Sequence, residues 1–309
     1  MKRNTFIAIV IGLVVVCAVA VVALNINSLL PSGDNTAGPN TASSPAKADV
    51  LEKFDTLKTK VNASGMWFGG ASMQNMKGVE TAMVYLYKQS GVEQQDQLAA
   101  GFNALYTVFD TEDPLLVGLV DTSQKLNSQQ YKVDVYSLDR PLVALYTEGD
   151  VTKAEMVKKA IYVTPENQNT LISNATVKAS SSPLPARPRN FTPPADRHRY
   201  LTDYMNETSY KPVSVQAGSA ADGEKVVNLL LVLPADATNA VKYDEIETGF
   251  KACAGAYCDY DRYFVTLAPQ TGNEYLIADA AATPVFDYIG HDISQYQLYR
   301  NMNLTYYTR

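Results

Sequence analysis

The rhythm of hydrophobic positions changes several times along the chain, and each change marks an element. From Phe6 to Leu24 the run FIAIVIGLVVVCAVAVVAL contains no charged or strongly polar residue. At 1.5 Å rise per residue it nearly matches the hydrocarbon thickness of a bilayer, which predicts a membrane-spanning helix. The stretch PSGDNTAGPNTASSPAK, residues 31–47, holds almost no large apolar side chain and cannot bury enough surface to offset its ordering entropy, so it predicts a tether. Beyond it, Val50, Phe54, Leu57 and Val61 recur at helical spacing, with a poorer counterpart over 196–206. Residues 81–87 and 226–233 read as strands, and 66–70 as a further short one. Between Gln94 and Phe109, positions Leu98, Phe102, Leu105 and Phe109 share one helix face. The apolar runs 115–120 and 263–268 predict strands covered on both faces. Tyr131, Val133 and Val135 alternate with Lys132 and Asp134, as in a half-covered strand. Thr152 and Ser294 stand where N-caps of a closing helix belong.

These elements come twice. Residues 96–122 align with 244–270 without a gap, with Asp96/Asp244, Gly101/Gly249, Phe102/Phe250, Ala104/Ala252, Asp113/Asp261, Val117/Val265 and Leu119/Leu267 identical. Ile246, Phe250, Cys253 and Tyr257 repeat the apolar face of the first helix. With small gaps, YKVDVYSLD from Tyr131 lies over YLIADAAAT from Tyr275, and YTEGDVT from Tyr146 over YIGHDIS from Tyr288. Order kept over several elements predicts a tandem duplication. The expected fold class is α+β (layered α/β): a small α-β-α-β-β-α module used twice, after an N-terminal transmembrane helix.

Lys2 and Arg3 precede the apolar run, and such cations stay on the cytoplasmic side. The organisation expected is a cytoplasmic stub at 1–5, a signal anchor at 6–24, a tether at 25–48 and a first module at 49–179. A Pro-rich linker at 180–195 and a second module at 196–309 complete it. Signal cleavage after Ala18-Val19-Ala20 and lipidation of Cys17 are the alternatives, although Val14-Val15-Val16 lacks the small residues of a lipobox. All three put the folded part outside the cytoplasm, so a single-pass cell-membrane protein is expected.

Composition narrows the chemistry. The formal net charge is −6, which excludes a general nucleic-acid binder; the basic stretch 187–199 is broken by prolines and reads as a solvated linker. Cys253 and Cys258 form an even pair in an exported chain and predict a disulfide pinning a helix end, provided the helix unwinds near 255–257. Two cysteines are too few for zinc. Asn62, Asn174, Asn206 and Asn303 head candidate glycosylation sequons, and that of Asn190 is followed by Pro193. His198 and His291 are the only histidines and are not duplicated, so neither reads as catalytic. The acidic turns DTED (110–113) and CDYD (258–261) read as solvated rather than calcium-binding. The C-terminal tyrosines 296, 299, 306 and 307 suit half-buried elements, and Trp67 reads as a core anchor. No P-loop, dinucleotide fingerprint, zinc-protease or nucleophile-elbow motif occurs, so no cofactor, metal or catalytic residue is assigned.

The reading that follows is a membrane-anchored extracytoplasmic protein whose two modules bind a ligand or protein partner at the cell envelope. Its rivals are an envelope hydrolase using Asp259, Asp261 and Asp292 as catalytic carboxylates, and a structural spacer of a surface layer.

Overall fold

The computed structural model describes residues 47–76, 79–125, 131–164, 192–208, 210, 212–220, 223–234, 237–269 and 274–308. The chain divides into two compact units, one taking in Lys53–Ser180 and the other Ser181–Arg309, with residues 47–52 of the first helix grouped with the latter.

In the first unit, helix α1 (Lys47–Ala63) leads to strands β1 (Trp67–Met76) and β2 (Val79–Tyr87), helix α2 (Gln94–Val108), and strands β3 (Leu115–Lys125) and β4 (Tyr131–Leu138). Two short helices, α3 (Arg140–Glu148) and α4 (Lys153–Lys158), and the two-residue strand β5 (Ile161–Tyr162) close it. The sheet order is β5-β4-β3-β2-β1. Only β2 and β3 pair in parallel, because α2 carries the chain back across the sheet; β1–β2, β3–β4 and β4–β5 are antiparallel. Leu98, Phe102 and Leu105 of α2 are buried, as are Leu86, Leu115, Val117 and Leu119 of the parallel strands. Phe54 of α1 packs on Phe109, ring centroids 6.4 Å apart. Arg140 closes the C-terminal end of α2: its guanidinium donates to the Phe109 and Tyr106 carbonyls, the latter at 3.1 Å. Those carbonyls would otherwise lack helical partners.

The second unit repeats the same described elements in the same order: α5 (Arg197–Asn206), β6 (Pro212–Ser219), β7 (Lys225–Leu233), α6 (Asn239–Ala256), β8 (Arg262–Pro269), β9 (Glu274–Ala281), α7 (Ala282–Ile289), α8 (Gln295–Arg300) and β10 (Met302–Thr308). Its sheet runs β10-β9-β8-β7-β6. Again only the helix-linked pair, β7–β8, is parallel, and β6–β7, β8–β9 and β9–β10 are antiparallel. The duplication is thus present as topology.

Its details recur as well. Thr152 and Ser294 each close a capping box, with Glu155 and Gln297 respectively. After α3 the left-handed position is Gly149 (φ 88°), and after α7 it is His291 (φ 60°). In both, the next N–H turns back to a helix carbonyl, Asp150 to Leu145 at 2.9 Å and Asp292 to Asp287 at 2.8 Å.

Three expectations need correction here. Each module carries more than α-β-α-β-β-α: a strand, β1 or β6, follows the first helix, an extra helix, α3 or α7, precedes the capped helix, and a last strand, β5 or β10, follows it. The expected alignment placed Leu138 on Ala282. With Leu115 matched to Tyr263, the strand pairings Leu115–Leu138 and Tyr263–Ala280 place Leu138 on Ala280; the slip is even, so every side chain keeps its face. The membrane-spanning helix expected at Phe6–Leu24 lies outside the described residues, and among the described residues no helix is long and apolar enough to cross a membrane. The fold class is therefore an α+β chain with a repeated sheet-and-helix pattern, and no helix among the described residues spans a membrane. No described helix supports the expected single-pass topology or membrane partner.

Candidate functional site

The polar cluster that stands out belongs to the first unit, where the parallel strands β2 and β3 end and α2 begins. The carboxyl ends of parallel strands flanking a crossover helix are where open sheets place ligands. Lys88 follows β2 directly, and its N–H bonds the Val120 carbonyl at 2.9 Å, extending the ladder. Its Nζ lies 2.6 Å from Asp134 Oδ2 on β4 and 3.8 Å from Asp121 Oδ2 on β3. Lys132 Nζ lies 3.3 Å from the other Asp134 oxygen, which also accepts from the Tyr162 hydroxyl at 3.2 Å. The Tyr162 ring meets Tyr136 edge-on at 5.4 Å between centroids, and the Tyr136 hydroxyl accepts from Gln94 Nε2, in the first turn of α2, at 2.7 Å. One turn further, buried Gln97 donates to the Val92 carbonyl at 3.1 Å, while its Oε1 has no hydrogen-bond partner. Tyr162 is 45% exposed, so its ring is open to solvent beside the charges.

The electrostatics are settled by pairing. Burial alone would lower the Lys88 ammonium, but Asp134 and Asp121 outweigh it and hold it above its ordinary value. Burial would raise Asp134, yet Lys88 and Lys132 outweigh it and hold the carboxyl below its ordinary value. Asp121 is lowered too, first by the Ser123 hydroxyl. At neutral pH both acids are carboxylates and Lys88 is a cation. None is a proton donor poised near neutrality.

The second unit lacks this cluster. The pairings Leu86–Leu119–Asp134 and Leu231–Leu267–Leu276 match position for position. By the same registers Lys88 corresponds to Leu233, Asp121 to Pro269, Tyr136 to Ala278 and Tyr162 to Leu304. Leu276, Ala278 and Leu304 are buried. One copy therefore fills this end of the sheet with hydrocarbon and the other with charge and phenol. The sequence alignment hid the contrast, because its two-residue slip set Asp134 against Ala278 rather than Leu276.

The residues singled out from sequence are dispersed. Asp259 is held by both Arg197 amino groups, at 2.7 and 3.1 Å, with Lys225 at 3.7 Å; that arginine is thus an ion-pair partner rather than linker. Asp261 accepts the Lys225 backbone N–H at 2.9 Å, and Asp292 sits exposed beside the left-handed turn. Two of the three therefore work as structural acceptors, and the carboxylate-hydrolase reading is withdrawn. Cys253 and Cys258 are both buried and present as thiols, not as the expected disulfide. The helix does end there, with Tyr257 out of helical geometry (φ −126°, ψ 46°) while its N–H caps the Cys253 carbonyl at 2.8 Å, yet the two thiols are not joined. Burial pushes the Cys253 thiol far up.

Asn62 and Asn206 are exposed at helix ends, whereas Asn303 is buried in β10 and donates to both Asp279 oxygens at 3.2 and 3.3 Å; Asn174 and Asn190 lie outside the described residues. His198 is exposed on α5. In the acidic turns, Glu112 accepts the Thr111 N–H at 3.0 Å and Asp113 the Arg140 N–H at 2.9 Å. No metal-ligand cluster occurs among the described residues. Trp67 is not a core anchor: at the start of β1 it is 64% exposed. Tyr299 packs on Tyr243, centroids 5.1 Å apart.

No protein-family model matches the chain, and no curated protein matches it. Among solved structures, "Crystal structure of Sex pheromone staph-cAM373 precursor" is similar over 78% of this chain and 95% of that one, at 10% identity and a TM-score of 0.16, a likeness too slight to bear on fold or function. The anchored envelope role expected from the sequence, whether ligand or partner binding, hydrolysis or surface-layer spacing, gains no support from these comparisons or from the described helices and is set aside.

Proposed function

We propose that the protein is a recognition module whose ligand-binding surface is the Lys88–Asp121–Asp134–Tyr162 end of the first unit, and that its ligand is a small hydroxyl-rich molecule of the carbohydrate class. The observation that carries this reading is the contrast between the copies: the same backbone positions hold ion-paired and phenolic side chains in one unit and Leu233, Pro269, Leu276 and Leu304 in the other. Stability alone favours hydrocarbon there, since it needs no desolvation of charge. A carboxylate doubly held by lysines, beside the open Tyr162 ring, offers acceptors and donors to vicinal hydroxyls and a flat apolar face to a pyranose ring. Recognition fits better than glycoside cleavage, which needs one carboxyl kept protonated near neutral pH; here both acids are held low.

The test is calorimetric titration of the full chain with a panel of neutral, amino and acidic monosaccharides and short oligosaccharides. Saturable binding is expected, weakened at least about 10-fold by Asp134→Ala or Tyr162→Ala (a loss of about 1.4 kcal/mol) and unchanged by Tyr200→Ala, an exposed tyrosine of the second unit. Binding by no sugar, or binding indifferent to the first two substitutions in folded protein, overturns the proposal.

A further inference from the structure

The outer strand of the second unit carries an unused hydrogen-bonding edge. β6 ends the strand order on its side of the sheet, and its sequence, PVSVQAGS, holds no charged residue. The direction of its backbone groups follows from the hairpin that joins it to β7. Ala220 N–H bonds the Glu224 carbonyl at 2.8 Å, so Ala220 faces β7. Backbone groups alternate in direction along an antiparallel strand, so Ser219, Ala217 and Val215 turn their N–H and C=O away from β7. The other arm of the hairpin agrees. Lys225, opposite Ser219, gives its carbonyl to the Asp261 N–H at 2.9 Å, towards β8 and not towards β6. Among the described residues no strand pairs with the outer edge of β6, and Ala217, Gly218 and Ser219 are exposed.

Proteins commonly protect such an edge with charge, proline, a bulge or shortness. The two-residue β5 is protected by shortness. β6 has Pro212 and a bulge between Pro212 and Ser214 at its start, and none of these devices from Ser214 to Ser219.

We propose that β6 is a self-pairing edge, through which two copies of the chain associate by antiparallel β6–β6 addition about a two-fold axis at Ala217. The strand fits its own copy. In that register Val215 lies opposite Ser219 of the second copy and Ala217 opposite Ala217, so the outward residues exchange N–H···O=C bonds in pairs. Gln216 falls opposite Gly218, where a Cβ would meet nothing within 4 Å, so its side chain has room. Neither strand brings a charge, whereas a charged strand would set its charge against serine, alanine and valine. A two-fold contact of this kind closes on itself and stops at the dimer. It is shorter than the interfaces of stable complexes, so the dimer forms only at high protein concentration.

The experiment is sedimentation velocity of the full-length protein over a range of concentrations, as wild type, Ala217→Lys and Ala217→Glu. Ala217 is exposed, so neither substitution disturbs the packing of the monomer. The expected result is a monomer–dimer equilibrium for the wild type. Each variant sets like charges directly opposite one another across the axis and should dimerise at least about 5-fold more weakly. An equimolar mixture of the two should recover association as a mixed dimer, because lysine then faces glutamate. A wild type that stays monomeric at every concentration overturns the proposal. So does a dimer indifferent to both substitutions, or a mixture that associates no better than either variant alone. Sugar binding at the first unit enters none of these readouts.

Discussion

Gly101 on α2 lies so close to Val117 on β3 that a Cβ added to it would meet both valine γ-carbons at 2.9 Å, and Gly249 stands against Val265 at 2.8 and 2.9 Å. In each unit this is where the crossover helix touches its sheet. A methyl group forces apart a helix and a strand that are packed at core density. Helix propensity favours alanine by about 1 kcal/mol, while overpacking costs about 1–3 kcal/mol, so Gly101→Ala and Gly249→Ala are each expected to destabilise by about 1–2 kcal/mol in denaturant titration. No change, or a gain, shows that the helix can ride up without loss.

The repeated Gly-Phe pair was legible because that contact permits only glycine, and the helix faces were legible because Leu98, Phe102 and Leu105 keep strict spacing. The helices α3 and α7 were not. Arg140–Glu148 carries one buried residue, Val143, and so shows little periodicity. Strand β5 is two residues long with both side chains exposed, below any pattern. The candidate site was illegible for a different reason: Lys88, Asp121, Asp134 and Tyr162 come from four strands or their ends, and their meaning depends on a register that sequence similarity set wrongly by two residues. Trp67 was misread because an exposed strand-start tryptophan has the same local sequence as a buried one.

His291 holds with φ 60° the place that Gly149 holds with φ 88°. A side chain in the left-handed region costs about 1–2 kcal/mol relative to glycine, offset in part by the greater freedom glycine has in the unfolded chain. His291→Gly should raise the unfolding free energy by about 0.5–1 kcal/mol, read as a shift in denaturant midpoint at constant slope. A loss of stability would mean that the imidazole makes a contact worth more than the backbone strain.

Arg262, Asp279 and Asn303 form a buried polar group on β8, β9 and β10, with Glu224 at 3.3 Å from the guanidinium. Removing only the acid leaves the largely buried Arg262 cation with Glu224 as its one remaining carboxylate of the group and takes from Asn303 the acceptor that Asp279 provides. Asp279→Ala is expected to cost about 3–5 kcal/mol, whereas Arg262→Met with Asp279→Leu should recover most of it. If the double variant is as unstable as the single, the group is holding the strands in register and not merely balancing charge.

Cys253 and Cys258 are buried thiols, so a reductant should leave the melting temperature unchanged. Native protein should react with a thiol reagent at these positions only as fast as it opens, because burial holds the Cys253 thiolate out of reach. A melting temperature that falls on reduction would restore the bridge.

Lys88 and Asp134 give the candidate site a pH signature of its own. Asp134 has its folded value below the ordinary 3.8, so its pairing adds stability that is fully present above the unfolded value and lost as pH falls through the folded one. Lys88 is held above 10.5, so its share is complete below that value and is lost only as pH rises through the raised one. Lys88→Met removes the Lys88 share and weakens that of Asp134, which keeps Lys132 and the Tyr162 hydroxyl. The variant should be less stable than wild type at pH 7 by about 1–3 kcal/mol, and the gap should close between pH 4 and pH 2 as Asp134 is protonated in both proteins. Denaturant titration of the two proteins from pH 2 to 8 measures that gap directly. Were it to persist undiminished at pH 2, Lys88 would be contributing through its hydrocarbon stem rather than its charge, and the ion pair on which the recognition surface is built would be of no energetic consequence.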